Sequence, residues 1–198
     1  MRTADCPAKG VGRRGCRRGV LVLATLLTGC ISPNQGATLL AVPFVAQSPD
    51  RCGTAAVEMV LRFYGSDPDS VTLDRVIHIP ALAGSVPALL VEAARQQGFA
   101  ADAIQISEER ILRLLASGNP LIVLLGPEGE ALQGHFVVAT GFQPRTGALR
   151  VHSGSRANRW RPEKVWHPRW ESAGQWVVWI RRAQSLQLDS ESGLEQDE

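Results

Sequence analysis

The spacing of apolar residues separates a helical first part of the chain from a strand-rich second part. Between residues 52 and 64, apolar side chains recur every three or four positions, the period of an amphipathic helix, and Gly65 supplies the stop. The same period, with capping residues and glycine stops, predicts three more helices: over 73–79, from Ser85 to Gly98, and from Ser107 to Gly118. The first part of the chain is therefore predicted to be mostly helical.

After residue 120 the pattern becomes that of strands. Residues 121–125 form a continuous apolar run, and the turn at 144–147 separates two runs that can pair as a hairpin. Strands are predicted over 121–125, 136–142, 149–153 and 176–180, with a short helix over 162–170. Helices followed by an antiparallel sheet are typical of the α+β class, and we predict one such domain over residues 39–182.

The chain begins with a basic segment and a short apolar run. Four arginines between residues 13 and 18 precede a mostly apolar run at 19–27. A basic flank, a short apolar core and a small-residue exit are typical of a secretory signal. The run is well short of the roughly 20 apolar residues that a spanning helix needs. Its end, Leu27-Thr28-Gly29-Cys30, resembles the bacterial lipoprotein signal, in which the cysteine becomes the acylated first residue.

This resemblance predicts a signal peptide over 1–29, a tether over 30–38 and a lipid anchor on Cys30 that holds the protein on a membrane without spanning it. Ile31 stands where an aspartate could signal inner-membrane retention in some Gram-negative bacteria. We therefore expect the outer membrane, with the domain facing the periplasm. The alternative is an ordinary secretory signal with an incidental cysteine.

Removal of the leader reverses the net charge of the chain. The leader holds six of the 21 basic residues and one of the 19 acidic ones, so residues 30–198 carry 15 basic and 18 acidic groups. The basic pI of the full sequence therefore gives no support for a nucleic-acid partner. The last segment, 183–198, is acidic and poor in aromatic residues, which predicts a disordered tail.

Four cysteines occur in the sequence, and one of them is left as a free thiol. Cys6 and Cys16 lie in the leader, Cys30 is the predicted acylation site, and Cys52 remains. Exported proteins usually pair their cysteines, so an unpaired thiol in such a protein is a candidate nucleophile. Since Cys52 opens the first predicted helix, its thiol would face unpaired N–H groups and the positive end of the helix dipole, which favour the thiolate and a lowered pKa.

Two further residues complete a candidate catalytic set with Cys52. His135 begins a predicted strand and would serve as the general base, brought to the thiol by the fold. Gln47 lies five residues before the cysteine, where its amide could join the Cys52 N–H as a donor pair for a tetrahedral oxyanion. No histidine shows paired-ligand spacing, so neither a metal nor another cofactor is predicted.

The hairpin limits which group can orient the His135 ring. If Phe142 faces Ala148 across the turn, Val137 faces Ser153. Residues two apart on a strand share a face, so Ser153 or Ser155 would project with His135, whereas His152 would point to the other side of the sheet. A serine hydroxyl can accept from a ring N–H but brings no negative charge.

These motifs together resemble the papain-like bacteriocin-processing (double-glycine-leader) cysteine peptidases, and more closely a lipoprotein branch of that superfamily. The residues that carry the resemblance are Pro43-Phe44 with Gln47, Cys52-Gly53-Thr54-Ala55-Ala56, Gly134-His135-Phe136-Val137-Val138 and Val151-His152-Ser153-Gly154. It covers roughly residues 39–182 and implies a papain-like fold. It also implies Cys52 as nucleophile, His135 as base and Gln47 at the oxyanion hole. The departure is Ser153, where the superfamily usually has aspartate followed by proline.

The sequence therefore predicts a membrane-anchored cysteine peptidase that hydrolyses a peptide or protein substrate through a thioester on Cys52. Two alternatives remain. The same thiol could serve an acyltransferase or amidase, or the chain could be a peptide-binding lipoprotein that keeps the fold without turnover. The absence of an acidic partner for His135 is consistent with the binding alternative.

Overall fold

The computed structural model describes residues 36–48, 50–129 and 133–183. Its helices are α1 (Cys52–Phe63), α2 (Ser70–Ile77), α3 (Pro87–Gln96), α4 (Glu108–Ala116) and α5 (Glu163–Ser172). Its strands are β1 (Thr38–Leu39), β2 (Phe99–Gln105), β3 (Leu121–Leu125), β4 (His135–Gln143), β5 (Ala148–Ser153), β6 (Arg156–Arg161) and β7 (Trp176–Arg182). Within the described residues the strands form one antiparallel sheet in the order β2-β7-β3-β4-β5-β6, and β1 pairs with the end of β4.

The sheet lies between two layers of helices. Alternate residues of a strand point to opposite faces, so β3 and β4 supply side chains to both layers. Ile122 and Val138 pack with α1, α2 and α3 on one face, whereas Val123 and Val137 pack with α4 and α5 on the other. The α+β prediction is confirmed, and the structure adds that the later helices cover the second face of the sheet.

Helix α4 begins as its sequence predicts, whereas α3 does not. Ser107 caps α4, and its hydroxyl accepts from the Arg110 N–H. The predicted cap of α3, Ser85, is wrong, because the N-cap is Val86 and the helix starts with Pro87, whose fixed φ suits the first helical position. The Ser85 hydroxyl is instead buried without a hydrogen-bond partner in the described structure.

The β4–β5 hairpin contains a register shift that its sequence did not predict. Near the turn, Phe142 pairs with Leu149 rather than with Ala148. Thr140 is an extra residue on β4, and beyond it Val138 pairs with His152. On the side of the bulge away from the turn, the residues that face each other are those that the sequence predicted to do so. The predicted alignment of Ser153 with the start of β4 is therefore retained.

Strand β6 was not predicted. Its six residues include three arginines, and the strand pairs only with β5 at the edge of the described sheet. An edge strand of this kind needs no apolar alternation, because backbone hydrogen bonds to one neighbour suffice to form it. Sequence periodicity therefore gave no signal for this strand.

The predicted signal peptide at 1–29 lies outside the described residues, as do the tether as far as residue 35 and the tail from residue 184. In the part of the chain that the structure covers, no helix has the length and apolarity needed to cross a membrane.

Candidate active site

Cys52 is the first residue of α1 and a free thiol. The preceding N-cap residue, Arg51, gives no side-chain cap. Burial raises the pKa of the Cys52 thiol above its ordinary value, and the N–H groups of Phe136 and Gly53 that face the sulfur offset this rise only in part. The expected lowering of the thiol pKa is therefore wrong for this structure, because loss of water around the sulfur outweighs the helix N-terminus.

Gly53 allows the start of α1 to pack closely against the segment before α3. A Cβ at position 53 would lie 2.2 Å from the Ser85 hydroxyl oxygen and 3.1 Å from Leu90. Real Cβ atoms essentially never approach other atoms this closely, so the glycine fixes the depth at which Cys52 sits. This explains the Cys52-Gly53 pair in packing terms.

Gln47 connects the three other candidate residues through the backbone next to each of them. Its Oε1 accepts from the Gly154 N–H at 2.6 Å, and its own N–H donates to the Gly154 carbonyl at 3.0 Å. Its Nε2 donates to the Phe136 carbonyl at 3.1 Å and faces the Cys52 carbonyl at 3.5 Å. Because Gly154 follows Ser153 and Phe136 follows His135, one amide fixes the relative positions of α1, β4 and the end of β5.

The His135 ring is oriented by Ser153. Nε2 of His135 and Oγ of Ser153 are 2.9 Å apart, whereas Ser155 is exposed and has no bond to the ring in the described structure. Of the two serines that the sequence left open, the structure therefore selects Ser153. With Nε2 engaged, Nδ1 is the ring nitrogen left to exchange a proton with a substrate or a thiol.

The surroundings of His135 favour the neutral form of its ring. Burial is the main factor that lowers the pKa of its ring, and the charges of Arg169 and Arg161 lower it further, whereas Glu128 opposes them. A neutral imidazole can accept a proton, as a general base must. The lowered pKa of His135 and the raised pKa of Cys52 both favour the neutral forms, thiol and imidazole.

Cys52 is linked to the His135 strand through the backbone of Phe136 and not through the His135 ring. Among the described residues no hydrogen bond joins the sulfur to the ring. The sulfur instead lies against the N–H of Phe136, the residue that follows His135. The structure thus brings the Cys52 sulfur to the backbone of the residue after His135, and Gln47 joins this backbone to the residue after Ser153.

A cleft of about 460 Å³ opens beside the thiol. It is lined by Cys52, by residues 82–87, by Gly126 and Pro127, by residues flanking His135, and by the end of α5 at 172–173. Among the residues that the structure describes, every one that lines the cleft is uncharged. Two of them, Leu82 and Val86, are exposed by 51% and 37% and give the cleft an apolar edge. The described part of the cleft is therefore suited to an uncharged, extended ligand.

His152 has a structural environment, as the strand alternation predicts. Its Nε2 lies 2.9 Å from the Val42 carbonyl, its Nδ1 accepts from the Asn158 N–H at 3.0 Å, and its ring meets the edge of Phe44. Its side chain is 1% exposed and lies on the other face from Ser153. In the described part of the chain no three His, Cys, Asp or Glu side chains are grouped to hold a metal.

Comparison with known families identifies the fold and its class. The model of the Peptidase_C39 like family matches residues 39–178. The chain belongs to this family. The C39-like match covers all four candidate residues and confirms the predicted resemblance to the bacteriocin-processing peptidases, whereas the lipoprotein branch stays a prediction. Among curated proteins, no sequence matches the chain.

Solved C39-like structures share this fold at low sequence identity. A C39-like peptidase from Bacillus anthracis is 14% identical with a TM-score of 0.62, and the match covers 74% of this chain and 98% of that one. The peptidase domain of Streptococcus ComA, a bifunctional ABC transporter of a quorum-sensing pathway, is 20% identical with a TM-score of 0.57, covering 72% and 98%. A double-glycine-motif protease of an AMS/PCAT transporter, solved with its leader peptide, is 18% identical with a TM-score of 0.58, covering 73% and 94%.

The family and fold are those of cysteine peptidases. Sequence reasoning missed one residue beside the site, Arg169, which contacts the cleft wall and acts on His135 through its charge. It lies 34 positions after His135 in an unremarkable helix, so no spacing in the sequence could have indicated it.

Proposed function

We propose that this protein is a cysteine peptidase that hydrolyses peptide bonds with Cys52 as nucleophile and His135 as general base. The observation that carries the proposal is the Gln47 bridge, which joins the backbone beside the thiol, beside the ring and beside Ser153. Three catalytic groups held by one side chain at the edge of an uncharged cleft are consistent with acyl transfer.

The proposed reaction starts from the neutral pair. Nδ1 of His135 takes the thiol proton as the sulfur attacks the substrate carbonyl carbon, and the carbonyl electrons move to oxygen. The backbone N–H groups at the start of α1 stabilise that oxyanion. They are joined by the Gln47 amide hydrogen that faces the Cys52 carbonyl at 3.5 Å, the weaker of its two contacts and the easier to release.

The tetrahedral intermediate then collapses. The C–N bond breaks, the imidazolium gives its proton to the leaving amine, and a thioester remains on Cys52. Water, activated by the neutral His135, hydrolyses the thioester and restores the thiol. Ser153 keeps Nε2 of the ring fixed through both steps, at the 2.9 Å separation in the structure.

The test is labelling with a thiol-directed activity probe, located on the chain by mass spectrometry. Cys52 should react, Cys52→Ala should remove that label, and His135→Ala should lower it sharply. His167→Ala is the matched control, because His167 lies on α5 with Glu108 and Glu171 as its partners. Equal labelling in the His135→Ala and wild-type proteins would refute the proposed base.

A second candidate function is peptide binding without turnover. Two observations favour it: the raised pKa of the Cys52 thiol, and the uncharged Ser153 as the only side chain bonded to the His135 ring in the described structure. If Cys52 reacts no faster than an ordinary free thiol while peptides still bind, this function replaces the first. Product analysis then separates hydrolysis from transfer to an amine acceptor.

We propose that the protein acts from an outer-membrane lipid anchor on Cys30, on peptides or proteins in the periplasm. The support is the sequence Leu27-Thr28-Gly29-Cys30 and the residue that follows it. Palmitate incorporation that disappears in Cys30→Ser, together with release of the protein from the membrane fraction, is the expected result. Incorporation that persists in Cys30→Ser would refute the anchor.

A further inference from the structure

Arg169 on α5 holds the loop that follows β3. Its Nε and Nη2 donate to the Gly126 carbonyl at 3.0 and 2.7 Å, and the Gly126 N–H donates to the Arg169 carbonyl at 2.7 Å. Its Nη1 pairs with Glu128 at 2.5 Å. The Arg169 side chain is 17% exposed. One residue therefore binds both the backbone and the charged side chain of this loop.

The loop lies directly on α5 at the point of attachment. A Cβ at position 126 would be 2.3 Å from the Ser172 hydroxyl oxygen and 3.0 Å from the Arg169 carbonyl. Only glycine leaves room for the loop backbone to reach the helix this closely. The two hydrogen bonds from the Arg169 guanidinium to the Gly126 carbonyl are thus formed at a tight backbone contact and not between mobile surface side chains.

This attachment lies next to the candidate site. Leu125, the residue before Gly126, is the strand partner of His135, and Gly126 and Pro127 line the cleft. Four groups act on the His135 ring from the elements around it: Arg169 from α5, Arg161 from β6, Glu128 from the loop, and Ser153 from β5. Arg169 has the largest effect of the three charged groups.

We propose that Arg169 is a positioning residue of the active site, which fixes the wall that Gly126 and Pro127 give the substrate cleft and keeps a positive charge beside His135. The two roles use different parts of the residue. Two N–H groups of the planar guanidinium bind the Gly126 carbonyl. The positive charge of Arg169 disfavours a second positive charge on the His135 imidazole. The proposal extends the proposed function, but its first test needs no turnover.

That test is an NMR titration of the His135 ring in the folded protein, with the signal assigned by its loss in His135→Asn. Arg169→Gln removes a positive charge, so His135 should titrate at higher pH than in the wild type. Glu128→Gln removes the opposing negative charge, so His135 should titrate at lower pH. Both variants break the same ion pair, so a purely structural role would move the two titrations in the same direction, and that result would overturn the proposal.

Arg169→Lys separates the effect of the hydrogen bonds to Gly126 from that of the positive charge. It keeps the positive charge but cannot bind the Gly126 carbonyl with a planar fork. The His135 titration should stay close to that of the wild type, while KM for a cleaved peptide rises several-fold with a smaller change in kcat. An unchanged KM would refute the role in fixing the wall.

Two features keep the tests decisive. Glu128 is 59% exposed, so Glu128→Gln should fold; if Arg169→Gln does not, the uncharged Arg169→Met is compared with Arg169→Lys instead, and equal His135 titrations in these two variants would overturn the electrostatic part. If the protein binds peptides without turnover, the peptide dissociation constant replaces KM. Failure of the proposed function therefore leaves the titrations valid, and failure of the titrations leaves the proposed function standing.

Discussion

Cys52 and His135 are controlled by different kinds of groups. Around the sulfur the polar groups are mainly backbone N–H donors from α1 and β4, the Asp50 carboxylate has the smallest effect on the thiol pKa, and the described cleft lining holds no charged side chain. Around the imidazole they are side chains: Ser153, Arg169, Arg161 and Glu128. Burial acts on both and moves their pKa values in opposite directions.

This difference determines how substitutions can change the two halves of the site, the surroundings of Cys52 (the thiol half) and those of His135 (the ring half). A backbone environment depends on the packing of α1 and is altered only by substitutions that move the helix. A side-chain environment can be changed one residue at a time with the fold intact. We therefore expect substitutions near the thiol to affect stability first, and substitutions near the ring to affect the pH dependence and rate first.

Gln47→Ala should give the largest effect, because Gln47 is the one described side chain that bonds to both halves. Its loss leaves the Gly154 N–H and the Phe136 carbonyl without their partner and lets α1 and β4 move apart. A misplacement of about 1 Å can lower kcat/KM about 100-fold, and we expect a loss of that order. Gln47→Glu should recover less than tenfold of it, since a carboxylate accepts from Gly154 but cannot donate to Phe136.

Peptide cleavage or Cys52 labelling rates measure this effect, with Gln96→Ala as the matched control. Gln96 is exposed on α3 and bonds only to Glu92 in the described structure. Equal losses in the Gln47 and Gln96 variants would contradict the bridging role.

Gly53→Ala should test the thiol half through its packing. The new Cβ would overlap the Ser85 hydroxyl and press on Leu90, and overpacking of this kind typically lowers the free energy of unfolding by about 1–3 kcal/mol. Urea denaturation measures the change. Gly84→Ala is the control, since a Cβ there has no neighbour closer than 3.6 Å. A stable Gly53→Ala protein would show that α1 is free to shift.

Ser153 should test the ring half with a smaller effect. Ser153→Ala removes one neutral hydrogen bond, usually worth about 0.5–1.5 kcal/mol, so the rate should fall about tenfold or less. Ser153→Asp places a negative charge beside Nε2, which should raise the pKa of His135 and move the acid limb of the pH–rate profile to higher pH. Ser155→Ala should change neither quantity. An acid limb that stays in place in Ser153→Asp would contradict the orienting role.

The smallest effect is the dependence of stability on pH. Because the pKa of Cys52 is raised in the folded protein, its contribution to the free energy of unfolding is full below the ordinary thiol pKa. That contribution is lost as pH rises through the pKa of the folded state. The pKa of His135 is lowered, so its contribution is present above the ordinary histidine pKa and is lost as pH falls through the folded value.

Urea denaturation across pH should therefore show Cys52→Ala flattening the alkaline decline and His135→Ala flattening the acid decline. His152, whose pKa is also lowered mainly by burial, leaves part of the acid decline in place. An unchanged pH profile in both variants would contradict the neutral pair.

The sequence was sufficient for elements that depend on local pattern. The apolar run at 121–125 forms β3 with the predicted bounds, and Ser107 caps α4 as predicted. His135 and Ser153 were also predicted on one face, but that prediction used a register that holds only beyond the bulge at Thr140, since Phe142 pairs with Leu149 and not with Ala148. The bounds of β3 and the cap of α4 follow from the spacing of residue types along the chain, which can be read from one sequence.

Other features depend on which segments meet in space. The thiol pKa was predicted in the wrong direction, because the helix N-terminus is visible in the sequence but the burial of the sulfur by β4 is not. The bonds of Gln47 to Phe136 and Gly154 span 89 and 107 positions. Arg169 was missed for the same reason, since it acts on a loop 43 positions before it.

The bulge at Thr140 divides the hairpin into a turn end and a site end. Loss of this one extra residue would let the pairs near the turn run on in the register of Val138 with His152, leaving Ser153 where it is. The alignment of the ring with its serine therefore depends on the pairs at the site end of the hairpin and not on those beside the turn.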